Sequence, residues 1–226
     1  MHSPFRGAGG YMLIKTILFD FDGVIVDSES LHLRAMGEVL TNHGISYPDD
    51  LLGKYVGKSD SSFFQYVIDN LNGSYELDYL LDQKNNIFEN IINELKPIDG
   101  FLDFIDVVIQ KNIPRAIVTS SSSETLKMVS EIFPFRNYFD VVICEEDTTE
   151  HKPKPAPYLL GLERTKGEKA TTLVIEDSVN GIIAGKSAGC IVFGLTSSLP
   201  REVLLEAGAD KVFDSYEEIK EEIRFE

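Results

Sequence analysis

The sequence predicts an α/β fold: a doubly wound parallel sheet with an α-helical cap domain inserted into it. Short, β-branched apolar runs recur along the chain, as expected of strands buried on both faces of a parallel sheet. Amphipathic helical patterns alternate with them, which is the order of elements in a doubly wound sheet. One stretch, from about Leu31 to Leu95, has no convincing strand and is too long for a simple crossover, so it reads as an inserted domain.

Taken in order, Met1 to Gly10 has no apolar stretch and carries Pro4, Gly7, Gly9 and Gly10. It is expected to be a disordered leader or cloning scar outside the fold, not a signal peptide. Leu13 to Phe19 is almost continuously apolar and reads as the first buried strand. Within the insert, Phe63, Phe64, Val67, Ile68 and Leu71 have helical spacing and end at Asn72-Gly73. Leu77, Leu80, Leu81, Lys84, Ile87, Phe88, Ile91 and Leu95 make a second, longer helical pattern. After the insert, a helix bearing Leu102, Ile105, Val108 and Ile109 precedes the strand Ala116–Thr119. A helix with Leu126, Val129 and Ile132 then leads to the strand Val141–Cys144. The strand Thr172–Ile175 is followed by a helix from about Ser178 to Ala188, which Gly189 stops, and then by the strand Ile191–Phe193. The expected division is a catalytic core of residues 11–30 and 96–226 and a cap of residues 31–95.

Charge excludes whole classes of partner. Lys and Arg number 21 against 37 Asp and Glu, a formal charge of −16. Such a surface repels nucleic acid and anionic membranes, so neither is an expected partner. It also repels small anions, which any anionic substrate must overcome. The two cysteines, Cys144 and Cys190, lie in apolar runs and suit reduced thiols of a cytoplasmic protein. No apolar run approaches the ~18 residues of a transmembrane helix.

The chemistry-bearing residues gather where predicted strands end, which is where ligands bind in a doubly wound sheet. Asp20-Phe21-Asp22-Gly23 follows the first strand, and two carboxylates this close repel unless they share a cation or one holds a proton. Taken alone the motif is also ordinary Asx-turn chemistry. Glu176-Asp177-Ser178 follows the strand Thr172–Ile175. Capping of the next helix accounts for Asp177 or Ser178 but not for Glu176. Oxygen ligands from separate strand ends suit Mg²⁺. Thr119-Ser120-Ser121-Ser122-Ser123 is either an N-cap or an anion site using free helix N–H groups. His151-Lys152-Pro153-Lys154-Pro155-Ala156-Pro157 is a proline-stiffened loop with two lysines. Together, paired acids, a hydroxyl and a lysine describe a site for a metal-bound phosphoryl group.

In these motifs, taken in order from about Ile14 to Ile223, the chain resembles the haloacid dehalogenase superfamily of phosphotransferases. The resemblance is to the helical-cap subfamily that includes β-phosphoglucomutases and phosphoglycolate phosphatases. It implies a Rossmann-like core in which Asp20 is the nucleophile and Asp22 the general acid/base, with Thr119 and a motif lysine binding the phosphoryl group. It further implies Mg²⁺ held by Asp20, Asp22 (through its main-chain carbonyl), Glu176 and Asp177. Gly23, Ser120, His32 and Lys58 are the expected substrate or phosphate contacts. Lys152 and Lys154 both begin a Lys-Pro-x-Pro motif. Lys152 is preferred because Tyr158 stands six positions on, where the family has an aromatic or apolar residue. His32 lies in an Asp27…His32-x-Arg34 stretch shared with sugar-phosphate mutases, although an ordinary helix histidine reads the same way. Those mutases also carry Gly-x-x-Arg in the cap. Here Gly57-Lys58-Ser59-Asp60 puts an acid at that position. Lysine at 54 or 58 supplies a point charge, not a bidentate fork. The expected function is therefore a Mg²⁺-dependent phosphatase of a small phosphorylated metabolite, a sugar phosphate above all, acting as a monomer. A β-phosphoglucomutase-type mutase and a catalytically silent binding protein on the same fold are the alternatives.

Overall fold

A computed structural model describes residues 11–56, 60–71 and 74–225 of the chain. The expected leader 1–10 and Lys58 lie outside the described residues, as does the expected helix end at Asn72-Gly73. The described residues divide into two compact units, one of 11–26 with 97–225 and the other of 27–96.

The α/β unit opens with β1 (Met12–Ile14) and β2 (Thr16–Phe19). After the second unit it continues with α4 (Phe101–Gln110), β3 (Arg115–Val118), α5 (Ser123–Ile132), β4 (Val141–Ile143) and α6 (Ala156–Thr165). It closes with β5 (Thr172–Glu176), α7 (Val179–Ala188), β6 (Ile191–Leu195), α8 (Arg201–Glu206), β7 (Lys211–Phe213), α9 (Tyr216–Glu222) and β8 (Ile223–Phe225). Six strands form one sheet in the order β4-β3-β2-β5-β6-β7, every pair parallel. The predicted first strand is two strands. It breaks at exposed Lys15, so that β1 pairs with β8 in a separate two-stranded sheet while β2 enters the main one. Neither β7 nor β8 was signalled in the sequence, since each is three residues long and carries a charged residue.

Adjacent residues of β2 show how the core is divided. Leu18 points into a cluster with Val118, Val174 and Val192 that Tyr158, Leu162 and Ile182 of α6 and α7 cover. Phe19 points the other way, onto Phe101 and Phe104 of α4 and onto Phe139, in edge-to-face contacts of 5.4–6.1 Å. A strand buried on both faces must be apolar at every position, which is why β2 reads as an unbroken run. The same register carries function: Phe19 is level with Ile117 of β3 and Ile175 of β5, so the residues that follow these strands emerge side by side.

The unit of residues 27–96 is helical: α1 (Glu29–Asn42), α2 (Asp60–Asn70) and α3 (Leu77–Ile91), with no strand among its described residues. Met36, Val39 and Leu40 of α1 pack with Phe63, Phe64 and Val67 of α2 and Leu80 of α3. Burying each such side chain contributes roughly 1.5–3 kcal/mol, enough for three short helices to hold one another. Its two ends are joined by the Asp27 N–H, which donates to the Lys96 carbonyl at 2.9 Å. Arg34 adds a bidentate clamp on Glu94 at 2.5 and 2.8 Å. Lys84, which the spacing alone placed on the apolar stripe, is indeed buried, with its ammonium 2.6 Å from Asp60 and 2.6 Å from His32 Nδ1. No described helix is long and apolar enough to cross a membrane.

Candidate active site

Five chain segments converge at the carboxyl edge of the main sheet. Asp20 leaves β2 with its N–H donated to the Ile175 carbonyl at 3.0 Å, which extends the ladder by one residue and fixes the side chain at the sheet mouth. The chain then turns tightly: Ile25 N–H donates to Phe21 O at 2.8 Å and Gly23 N–H to Val26 O at 2.8 Å. Gly23 has φ +72°, and a Cβ there would overlap the Asp177 carboxylate. The expectation for Gly23 was a phosphate contact. Its N–H is spent inside the turn, and what it contributes is room for Asp177. Gly181, at the start of α7, makes the same allowance for Glu176, whose carboxylate occupies the place a Cβ would take.

Lys152 is the hub. Its ammonium donates to Asp20 Oδ1, to Glu176 Oε1 at 2.7 Å and to the Val118 carbonyl at 2.9 Å, so its three protons have three acceptors. Lys154 is exposed, so of the two lysines it is Lys152 that meets these acids. Glu176, fully buried, also accepts the Tyr158 hydroxyl on Oε1 at 2.7 Å. Its Oε2 accepts the N–H groups of Asp177 and Ser178 at 3.1 Å each and the Ser178 hydroxyl at 2.9 Å. Ser198, on the loop after β6, donates to Asp177 Oδ2.

Burial and crowding set the electrostatics. Burial is the main cause that pushes Asp20 up to about 8; Lys152 offsets part of it and Glu176 adds to it. Asp177 is raised well above the carboxylate range by burial and then by Asp20 and Glu176. Burial works against the charge of Lys152, but Asp20 and Glu176 outweigh it and hold the ammonium above its ordinary value. Asp20, Glu176 and Asp177 each bring a carboxylate oxygen within 4.8 Å of the others. Three buried acids against one lysine leave a deficit of positive charge, and the donors are all hard oxygen. A divalent cation of the Mg²⁺ kind fits that set. The Asp22 carboxylate is not in the trio. It accepts the Ser121 hydroxyl at 2.6 Å, and the expectation for metal binding concerned its main-chain carbonyl.

Of the other expected residues, Thr119 is buried beside Lys152's third acceptor, its Oγ1 accepting the Ser121 N–H at 2.9 Å. Ser120 is exposed, and the neighbouring hydroxyl, Ser121, is the one that reaches a catalytic candidate. Ser122 is the N-cap of α5 and accepts the Thr125 N–H. The N–H of Ser123 is taken by the chain's own Glu146 at 3.0 Å, an anion at a helix N-terminus. His32 belongs to the helical unit, where it stacks on Phe88 at 4.2 Å between centroids and meets Lys84. Sequence reasoning missed Ser121 and Ser198 as site hydroxyls. The signal for Ser198 was available: Thr196-Ser197-Ser198 follows an apolar strand just as Thr119-Ser120-Ser121 does.

Residues 17–195 match the haloacid dehalogenase-like hydrolase family, and the chain belongs to it. Among curated relatives, a phosphorylated carbohydrates phosphatase of Thermotoga maritima is 30 % identical over 203 residues, covering 87 % of this chain and 92 % of that protein. A validoxylamine A 7′-phosphate phosphatase of Streptomyces hygroscopicus subsp. limoneus is 26 % identical, with 86 % and 92 % covered. A crystal structure of a candidate β-phosphoglucomutase, again from Thermotoga maritima, superposes with TM-score 0.81 at 28 % identity, over 93 % of this chain and all of the other.

Proposed function

We propose that this chain is a Mg²⁺-dependent phosphatase that hydrolyses a small phosphorylated metabolite, a sugar phosphate above all, through an aspartyl-phosphate on Asp20. The observation that carries it is a buried Asp20 paired with Lys152, with Asp22 two residues on beside Ser121. An Asp20 carboxylate oxygen attacks phosphorus in line, the bond to the leaving oxygen breaks, and Asp22 supplies that oxygen's proton. Asp22, now a carboxylate, takes a proton from water, whose oxygen attacks phosphorus and releases Asp20 and orthophosphate. Thr119 and Lys152 bind the phosphoryl oxygens and stabilise their charge. Asp20, Asp177 and the Asp22 carbonyl, with Glu176 directly or through water, would hold Mg²⁺, which supplies the positive charge that neutralises phosphate and acids together.

The sugar-phosphate preference is supported by the phosphatases among the relatives. In this reading the helical insert, 31–95, is the cap domain that selects the leaving group, and the chain works as a cytoplasmic monomer. The likeness to a candidate β-phosphoglucomutase favours a second reading, a sugar phosphomutase. Against it stands Asp60, at the position where the mutases of the resembled subfamily carry an arginine. It is bound to Lys84 at 2.6 Å and offers no grip on a second phosphate.

Orthophosphate release from a panel of sugar phosphates, with Mg²⁺ and with EDTA, tests the reading. Release should require Mg²⁺ and fall about 10⁴-fold or more in Asp20→Asn. Conversion of a sugar 1-phosphate to its 6-phosphate without release would replace the phosphatase with the mutase. Full turnover by Asp20→Asn would remove the nucleophile.

A further inference from the structure

Beside Lys152 the mechanism leaves a buried polar group unused, the hydroxyl of Tyr158. This side chain is wholly buried in the first turn of α6, six residues after Lys152. The Lys152 ammonium lies 4.9 Å from the centre of its ring, and its O–H reaches Glu176 Oε1 at 2.7 Å, the same oxygen that Lys152 holds at 2.7 Å. A buried phenol needs an acceptor, but sharing the lysine's own acceptor has a consequence.

With three protons already on Asp20, Glu176 and Val118, Lys152 can reach a phosphoryl oxygen only by withdrawing a proton from one of them. Withdrawal from Glu176 would leave a buried carboxylate oxygen short of a donor, which is costly. The Tyr158 hydroxyl keeps that oxygen hydrogen-bonded throughout. We infer that Tyr158 is a positioning residue for Lys152: its hydroxyl holds Glu176 Oε1 while the lysine turns to the phosphoryl group. The inference rests on the phosphatase reading above, in which Lys152 binds phosphate.

Inorganic phosphate is titrated calorimetrically into the full chain with saturating Mg²⁺, for the unsubstituted chain, Tyr158→Phe, Lys152→Met and the double variant. Phenylalanine keeps the ring under Lys152, so the melting temperature should stay within a few degrees, and Mg²⁺ affinity, measured separately for each variant, sets the concentration that saturates it. Phosphate binding should weaken about tenfold, the scale of a hydrogen bond to a charged group. In the double variant the Tyr158 substitution should add nothing to Lys152→Met, because its effect passes through the lysine. Unchanged phosphate affinity in Tyr158→Phe overturns the proposal, with or without a drop in melting temperature, and so does an effect that adds in full to Lys152→Met. If the unsubstituted chain binds no phosphate and releases none from any ester, the phosphatase reading falls and takes this inference with it. If it binds and only the Tyr158 arm fails, the reading stands and the inference alone is lost.

Discussion

Among the described residues, each unit of this protein buries one lysine side chain, and the two are held differently. Lys84 in the helical unit has a side chain 2 % exposed and faces one acid, Asp60, one imidazole, His32, and the ring of Phe88. Lys152 in the α/β unit is 4 % exposed and faces two acids, with Asp177 a third in the same trio. The first arrangement is balanced, one positive charge for one negative, and Asp60 keeps 30 % of its side chain exposed to water. The second is over-supplied with negative charge and has almost no water to dilute it. A buried lysine is therefore no sign of a site by itself. The sum of charges around it is the sign, because an uncompensated deficit must be met by something the chain does not carry.

The comparison can be broken at either end. The largest effect is expected from Lys152→Met, which should lower kcat/KM for phosphate-ester hydrolysis by about 10²–10³-fold, as loss of a charge-stabilising donor does. Steady-state kinetics on the best substrate of the panel decides it, and near-normal turnover would reduce Lys152 to a structural ion pair. Lys84→Met should act on stability instead. Asp60 can turn to water, so the loss is about 1–3 kcal/mol, read from urea unfolding of the full chain. No loss at all would mean that the balanced pair merely offsets its own desolvation.

A third test concerns pH. Asp20 is held up to about 8 from an ordinary 3.8, so its folded value lies above its unfolded one. The stability it contributes is full below pH 4 and is lost as pH rises through 8. In EDTA the melting temperature should therefore decline between pH 5 and pH 8.5. Mg²⁺ should flatten or reverse that slope, since a cation favours the ionised acids. A melting temperature independent of pH and of Mg²⁺ would show that the trio carries no excess charge to neutralise.

Much of this was legible in the residues. The α/β alternation follows from strands that must be apolar on two faces, and strands β3, β4, β5 and β6 stand where apolar runs stand. Asp20, Glu176 and Asp177 were singled out because strand ends in such a sheet are where ligands bind, and the structure brings them together with Lys152. Two short elements were not legible: β7 and β8 are three residues each with a charged residue among them, so no apolar run marks them. Nor was the direction of neighbouring hydroxyls. Ser120 and Ser121 are identical in type, and only the turn after β3 decides that Ser121 faces Asp22 while Ser120 faces outward. Nor was the turn bond of the Gly23 N–H legible, since a spare N–H and a committed one look the same in a sequence.

Gly23 and Gly181 also bear on how this chain can vary. Each is pressed against a carboxylate, Asp177 in one case and Glu176 in the other, where even a methyl group has no place. Gly53 is their opposite, with open space where a Cβ would stand. The shape of the acidic trio is thus written partly in atoms that must be missing. Two positions with no functional group are bound to the site as tightly as the acids themselves, and a redesign of its chemistry inherits both before it chooses any side chain.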